Sequence, residues 1–237
     1  MKRFYIPKED FDNCQITGDE FNHLKNVLRM KQGDEFVAIC NDEYNYHCEI
    51  ISLEKHSAIF KIKNKEINNQ NPKIKIDLFQ ALAKGEKLDL ITQKSTEIGV
   101  NSIYPIYLKN CDVKQNTTKV LRLEKIAISA CKQCGRSLVP TINECITIKE
   151  LESLSKKYDL VLIANEREET LPILDCLQQY KSAKNIAIVI GPEGGFTSEE
   201  LEFLSNFSKS ITLGSRILRT ETAPIYMLSV LSAFYKF

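Results

Sequence analysis

The stretch NIAIVIGPEGGFTSEE, residues 185–200, decides the fold. Its first six residues, Asn185–Ile190, are continuously apolar after the asparagine, as in a parallel strand buried on both faces. Three glycines in the next five residues, Gly191, Gly194 and Gly195, allow close backbone approach and positive φ. Thr197 with Glu200 three residues later forms a capping box, so a helix starts there. Strand, glycine loop and capped helix form an α/β unit, and in open α/β sheets ligands bind at the carboxyl edge where such loops emerge. The loop has neither the Gly-Lys-Ser/Thr of a phosphate loop nor the GxGxxG dinucleotide spacing. By itself it reads equally well as a tight turn.

Working outward, strands alternate with helices on both sides. Strands are expected at Ile74–Ala81, Ser102–Leu108 (interrupted by Pro105), Leu160–Ala164 and Ile211–Leu213. Helices are expected at Gly85–Ile98, ended by Gly99, and at Thr117–Cys134, ended by Gly135. The last segment, Pro224–Phe237, reads as a helix apolar nearly all round, which predicts burial on all sides. The sum is an α/β domain with a parallel sheet.

The first third reads differently. Phe36–Cys40, Tyr46–Ile50 and Ala58–Ile62 are short strand-like runs between polar turns, the pattern of a small β-barrel. Asp19–Met30, with Phe21, Leu24, Val27 and Leu28 on one face, predicts an amphipathic helix before them. KEINNQNPK, residues 65–73, is polar and aperiodic and is the expected linker. The expected domains are 1–70 and 71–237.

A chain of 237 residues, 43% hydrophobic and 27% charged, has room for a real core and a solvated surface. The net charge of +1 conceals an uneven distribution. Residues 73–140 carry twelve Lys/Arg against six Asp/Glu, residues 1–72 ten against twelve, and residues 141–237 ten against thirteen. A basic middle third suits a phosphate backbone, or an ordinary lysine-rich face. The start, MKRFYIPKED, lacks an apolar signal region, and no run is long enough to span a membrane. The eight cysteines are therefore expected as free thiols in a reducing cytoplasm. Cys131 and Cys134 form one CxxC without a second pair, and His23, His47 and His56 follow no ligand spacing, so no metal site is expected.

A second loop, LGSRILRTETAP at residues 213–224, also leaves a short strand and enters the last helix. Arg216, Arg219 and Glu221 stand among its apolar residues. They read either as an internal ion pair fixing the loop or as a clamp on RNA phosphate or base.

With three further stretches these loops resemble the RsmE family of uridine-N3 ribosomal RNA methyltransferases, of the SPOUT class. HLKNVLRMKQGDEF, residues 23–36, resembles the family's HxxxVLRxxxGD. Lys84–Lys87 with Gln93–Val100 resembles KGxKxxxxxQKxTELGV. Gln133–Arg136 with Pro140 resembles EQxxRxxxP, and the opening Lys2–Pro7 also fits. The chain departs from the pattern at Asn41–Tyr44, at Lys109–Asp112 and at Lys132.

The resemblance implies an N-terminal PUA-like RNA-binding β-barrel, a SPOUT-type trefoil-knotted parallel sheet and a homodimer. It implies S-adenosylmethionine as cofactor and small-subunit (16S) ribosomal RNA, or the assembled subunit, as partner. The implied cofactor contacts are Ala164, Asn165 and Glu166; Ile190, Gly191, Glu193, Gly194 and Gly195; and Leu213, Gly214, Ile217, Leu218 and Arg219. Arg219 is the first candidate for stabilising the uridine anion and Arg216 the second, while Glu221 orients an arginine or takes the proton. Arg3, His23, Arg29, Lys84, Lys94 and Arg136 are the expected RNA contacts. Two other readings remain at this point, a SPOUT enzyme acting on a ribose 2′-oxygen and a non-catalytic RNA-binding assembly factor.

Overall fold

The computed structural model describes residues 1–113 and 120–236. The chain divides into two compact units, one of residues 1–71 with 131–139, the other of residues 72–130 with 140–237. Among the described residues no helix is long and apolar enough to cross a membrane.

The first unit is built on a five-stranded sheet in the order β1 (Lys2–Tyr5), β3 (Glu35–Ile39), β4 (Tyr44–Leu53), β5 (Ala58–Ile67), β2 (Gln15–Ile16). Only β1–β3 is parallel; the other pairs are antiparallel. Its core is aromatic. The Phe36 ring meets Phe4 and Phe60 edge-on at centroid separations of 5.3 and 5.6 Å, the favoured geometry for such pairs. A short helix, α1 (Lys8–Asp12), follows β1.

The helix expected over Asp19–Met30 is shorter. It runs as α2 (Gly18–Asn22) and widens into a π-helical turn at His23–Val27, where Leu28 N donates to His23 O at 3.0 Å. The wider turn shifts the face: Phe21 and Leu24 stay buried, but Val27 is 67% exposed.

The segment read as a linker is structural in its first half. β5 continues to Ile67, and Asn68 is buried, donating from Nδ2 to Asn45 Oδ1 and to Gly135 O, both at 2.8 Å. Asn71 Oδ1 accepts from the backbone of Ser137 and Leu138 at 3.2 and 3.1 Å. These amides replace water for the polar backbone of 135–139, which is why that segment belongs to the first unit although it lies far along the chain.

The second unit has an all-parallel sheet in the order β12 (Lys209–Ile211), β10 (Leu160–Ala164), β11 (Asn185–Ile190), β6 (Lys75–Ala81), β7 (Ser102–Tyr107), β8 (Thr141–Ile142), with β9 (Ile146–Thr147) also on β7. In β11 Ile186 through Ile190 are all buried, at about 1.5–3 kcal/mol for each large aliphatic side chain.

Its helices are α3 (Lys87–Ile98), α4 (Val120–Cys134), α5 (Ile148–Ser155), α6 (Ile173–Gln179), α7 (Ser198–Ser205) and α8 (Thr222–Tyr235). The expected start of α4 at Thr117 lies outside the described residues. α3 ends on Gly99 at φ +119° and α7 carries the Thr197–Glu200 capping box, both as expected. From β12 at the sheet edge the chain returns to the middle of the sheet, where α8 packs on α3, β6 and β11.

Two expectations are corrected. The last strand ends at Ile211, so Thr212 and Leu213 belong to the loop. α8 is not buried all round: Ala223, Pro224, Met227, Leu228 and Leu231 face the core, while Tyr226 is 42% exposed on the other side.

Candidate active site

Strands β12, β10 and β11 are neighbours and parallel, so their carboxyl ends and the loops that follow converge at one edge of the sheet. A cavity of about 360 Å³ opens there, within the range of small-ligand sites. Ala164 at the end of β10 and Asn165 and Glu166 after it line it, with Ile190 at the end of β11, Gly191, Glu193 and Gly195 after it, and Leu213 through Arg219 after β12.

The loops are fastened to one another. Asn165 N donates to Ile211 O at 3.1 Å and its Nδ2 donates to Ser210 Oγ at 3.0 Å. Thr220 Oγ1 donates to Gly191 O at 2.8 Å and accepts from the buried Gln80 Nε2 at 3.0 Å.

The glycines are sterically required. A Cβ at Gly191 would stand 2.9 Å from the ring of Phe196, which is buried and has little freedom to move. Gly195 sits at φ +70°, a conformation that side chains rarely adopt, and a Cβ there would meet Glu166 Oε1 at 2.7 Å.

Of the residues expected around a cofactor, all but one line the cavity. The exception is Gly194, whose carbonyl is turned away to accept from Asn110 Nδ2 at 3.1 Å. Ile217 is an unusual apolar residue, 81% exposed at the cavity.

Arg216 and Arg219 both line the cavity, and the Arg219 side chain is 83% exposed. Glu221 lines a neighbouring cavity instead. Its contact with Arg219 is long, 4.0 Å from Nη1 to Oε1, so the loop is not fixed by a tight arginine–glutamate pair.

The sequence reading passed over Lys87, the first residue of α3, which lines both cavities. Its Nζ donates to Glu193 Oε1 at 2.8 Å and lies 3.7 Å from Glu221 Oε2. The bond to Glu193 raises the Lys87 pKa above its usual 10.5. For Glu193 burial is the largest single influence and pushes the pKa upward, but the Lys87 hydrogen bond and charge together with backbone hydrogen bonds outweigh it, and the net shift is down from 4.5. The only signal for Lys87 in the sequence was its place in the KGxK motif, where attention went to Lys84.

A family model described as an RNA methyltransferase domain matches residues 69–232, and one described as an RNA methyltransferase PUA domain matches residues 16–63. The chain is 32% identical to ribosomal RNA small subunit methyltransferase E of Bacillus subtilis, over 98% of this chain and 96% of that one. It is 35% identical to the protein of the same name from Mesomycoplasma hyopneumoniae, over 97% and 98%. The chain belongs to the ribosomal RNA small subunit methyltransferase E family.

Two solved structures share the fold. The Neisseria gonorrhoeae member of this methyltransferase E family, bound to S-adenosyl methionine, superposes with a TM-score of 0.87 at 28% identity, covering 99% of this chain and 98% of that one. A Legionella pneumophila protein in complex with the cofactor SAM superposes at 0.85 and 31%, covering 98% and 96%. The architecture is therefore the SPOUT type of this family, a parallel-sheet methyltransferase domain with an N-terminal PUA-like domain.

Against that family background the expected RNA contacts divide. Arg29 is exposed. Lys84 is 61% exposed and paired at 2.9 Å with the equally accessible Asp112. Lys94 is bonded to Glu97 at 2.9 Å, the helix pair that its spacing also allowed. His23 is half-buried beside Phe4. Arg3 donates to Asn45 Oδ1 at 3.0 Å.

Arg136 is a correction. It is 4% exposed, so its guanidinium is not on the surface, where an RNA contact was expected.

Proposed function

We propose that this chain transfers a methyl group from S-adenosylmethionine to N3 of a uridine in small-subunit (16S) ribosomal RNA. The observation that carries the reading is the cavity at the carboxyl ends of β10, β11 and β12, with its glycine-opened loops and adjoining arginines.

The residues present fit the cofactor. Ile190, Leu213, Leu218 and the exposed Ile217 offer apolar surface on which an adenine ring would remove water. Asn165, Glu166, the Gly191–Gly195 loop and Gly214 offer polar groups for its ribose and amino-acid parts. When bound, S-adenosylmethionine supplies a methyl group on a sulfonium, a good leaving group.

The chain must then orient the uridine and stabilise the charge that develops as N3 loses its proton. We assign this role to Arg219, whose exposed side chain at the cavity can donate to a uracil carbonyl oxygen, with Arg216 second. N3 lies on the pairing edge of the base, so the target uridine has to be unpaired or flipped out. The transfer needs no metal, because the leaving group is already cationic. The basic stretch 73–140 and the PUA-like unit supply the surface for flanking RNA, with Arg29 and Lys84 the strongest phosphate contacts.

The reading includes a cytoplasmic setting, where small subunits mature, and a homodimer. The dimer is supported by the outward face of α8, which leaves Tyr226 42% exposed among partly exposed Ile225 and Val230.

Calorimetry with S-adenosylmethionine, followed by transfer of labelled methyl to free ribosomal RNA and to intact small subunits, tests the reading. Cofactor binding and transfer to one of the two substrates are expected. An assembly factor without catalysis would give no heat with the cofactor and no transfer.

A further inference from the structure

A second cavity lies next to the first. It has a volume of about 670 Å³ and lies between α3, α4 and the start of α8. Lys87 lines both it and the first cavity, so the two adjoin at this lysine. Leu90 and Ile126 give it apolar surface, Gln93 an amide with both donor and acceptor, and Ser129 a hydroxyl.

Glu221 also lines it, close to the shared Lys87. Its Oε2 is buried and, among the described residues, has no hydrogen-bond partner. The charged groups around it stand back: Lys87 Nζ is 3.7 Å from Oε2 and Arg219 Nη1 is 4.0 Å from Oε1. Glu86 and Asp89 lie in the lining of the same cavity, and Asp89 is neutralised by Arg122. A buried carboxylate oxygen without a donor is costly unless a ligand supplies one.

Resting on the methyltransferase reading above, we propose that this second cavity holds the target uracil and that Glu221 is the catalytic group that accepts its N3 proton. Uracil presents an N–H between two carbonyl oxygens on one edge. The N–H matches the donor-starved Glu221 carboxylate, and the flanking carbonyls match Lys87 on the side of the first cavity and the Gln93 amide further in. Leu90 and Ile126 pack against the ring. In the step, the N3 proton passes to Glu221 and its electron pair stays on nitrogen. That pair forms the bond to the methyl carbon as the carbon–sulfur bond breaks, its electrons going to sulfur. Lys87 and Arg219 stabilise the negative charge on the carbonyl oxygens meanwhile. Charge and atoms balance: the carboxylate gains the proton, the sulfonium becomes a neutral thioether, and solvent later removes the proton from Glu221.

The test uses the whole protein with S-adenosylmethionine and small subunits under single-turnover conditions across a range of pH. For Glu221→Gln the rate at neutral pH is expected to fall about 10²–10⁴-fold. It should then climb roughly tenfold per pH unit towards the uridine's own ionisation, because hydroxide does what the carboxylate did. Cofactor affinity by calorimetry should stay at the wild-type value. A variant whose rate is lowered but whose pH profile keeps the wild-type shape would overturn the proton-acceptor role.

Ser129→Trp fills the cavity from an exposed helix position and provides the second arm. It should abolish methyl transfer and leave cofactor binding intact, whereas undiminished transfer would overturn the pocket assignment. Wild-type protein that puts no methyl on uridine N3 would sink the functional reading and this assignment together. Wild-type transfer with both variants active would sink this assignment alone.

Discussion

The hydroxyl of Thr220 donates to the carbonyl oxygen of Gly191 at 2.8 Å, tying the loop after β12 to the loop after β11 across 29 residues of chain. The Thr220 hydroxyl oxygen itself accepts from Gln80 Nε2 at 3.0 Å, and Gln80 is fully buried on β6. One side chain thus couples both cavity loops to the centre of the sheet. Thr220→Val removes both bonds and strands a buried amide. It should destabilise the protein by about 1–3 kcal/mol and weaken S-adenosylmethionine binding. Thr220→Ser should keep both properties. Denaturant unfolding and calorimetry check this pair.

Gly191 and Gly195 fail for different reasons when changed to alanine. At Gly191 the obstacle is the buried ring of Phe196, so the loop itself must shift. At Gly195 the obstacle is φ +70°, worth about 1–2 kcal/mol of backbone strain, because the nearby Glu166 carboxylate can swing aside. Gly191→Ala should therefore reduce cofactor affinity more than Gly195→Ala. Calorimetric titration of the two variants ranks them.

How much of this was legible in the sequence follows from where the constraints are local. The strand at Asn185–Ile190 and the capping box at Thr197 are short-range patterns, and both were read directly. The expected cofactor residues came from the family resemblance, and chain polarity in a parallel sheet explains why the loops that carry them converge at one edge. Thr220, Lys87 and Asn68 were not legible, because their meaning lies in partners 29, 106 and 67 residues away. The polar KEINNQNPK stretch looked like a linker because composition cannot distinguish an amide facing water from one satisfying a distant backbone. Arg136 was misread for the same reason, since charge alone does not reveal burial. The one-sided exposure of α8 was hidden because an all-apolar helix carries no mark of which face the core takes.

The Lys87–Glu193 pair gives a pH dependence with a definite sign. The Glu193 carboxyl is depressed below 4.5 in the fold, so its contribution to stability is present above the unfolded value and is lost as pH falls through the lower folded value. Lys87 is raised above 10.5, so its contribution is present below that value and is lost as pH rises through the folded one. The stability difference between wild type and Glu193→Gln should be flat through neutral pH and shrink at both extremes. Urea unfolding at a series of pH values measures it, and a difference that grows towards acid pH would refute the pairing.

Arg219→Ala should leave cofactor binding unchanged, because its side chain is largely in solvent and its contact to Glu221 is long. Turnover should fall about 10²–10³-fold, as for loss of a donor to a developing oxyanion. Parallel loss of cofactor affinity would mean instead that Arg219 supports the loop.

Arg29→Ala and Lys84→Ala should each weaken RNA binding and flatten its salt dependence, by about 0.7 in the log–log slope for each contact to single-stranded RNA. Lys84 must give up its exposed pair with Asp112 to make that contact, so its effect on affinity should be the smaller. Affinity measured from low to high salt reads both quantities.

The most direct measurement is mass spectrometry of nucleosides digested from small-subunit ribosomal RNA after incubation with the protein and isotope-labelled S-adenosylmethionine. The account predicts the label on the uracil base as 3-methyluridine, at a single site. Label on a ribose 2′-oxygen, or none in RNA from subunits that lack the modification, would contradict it.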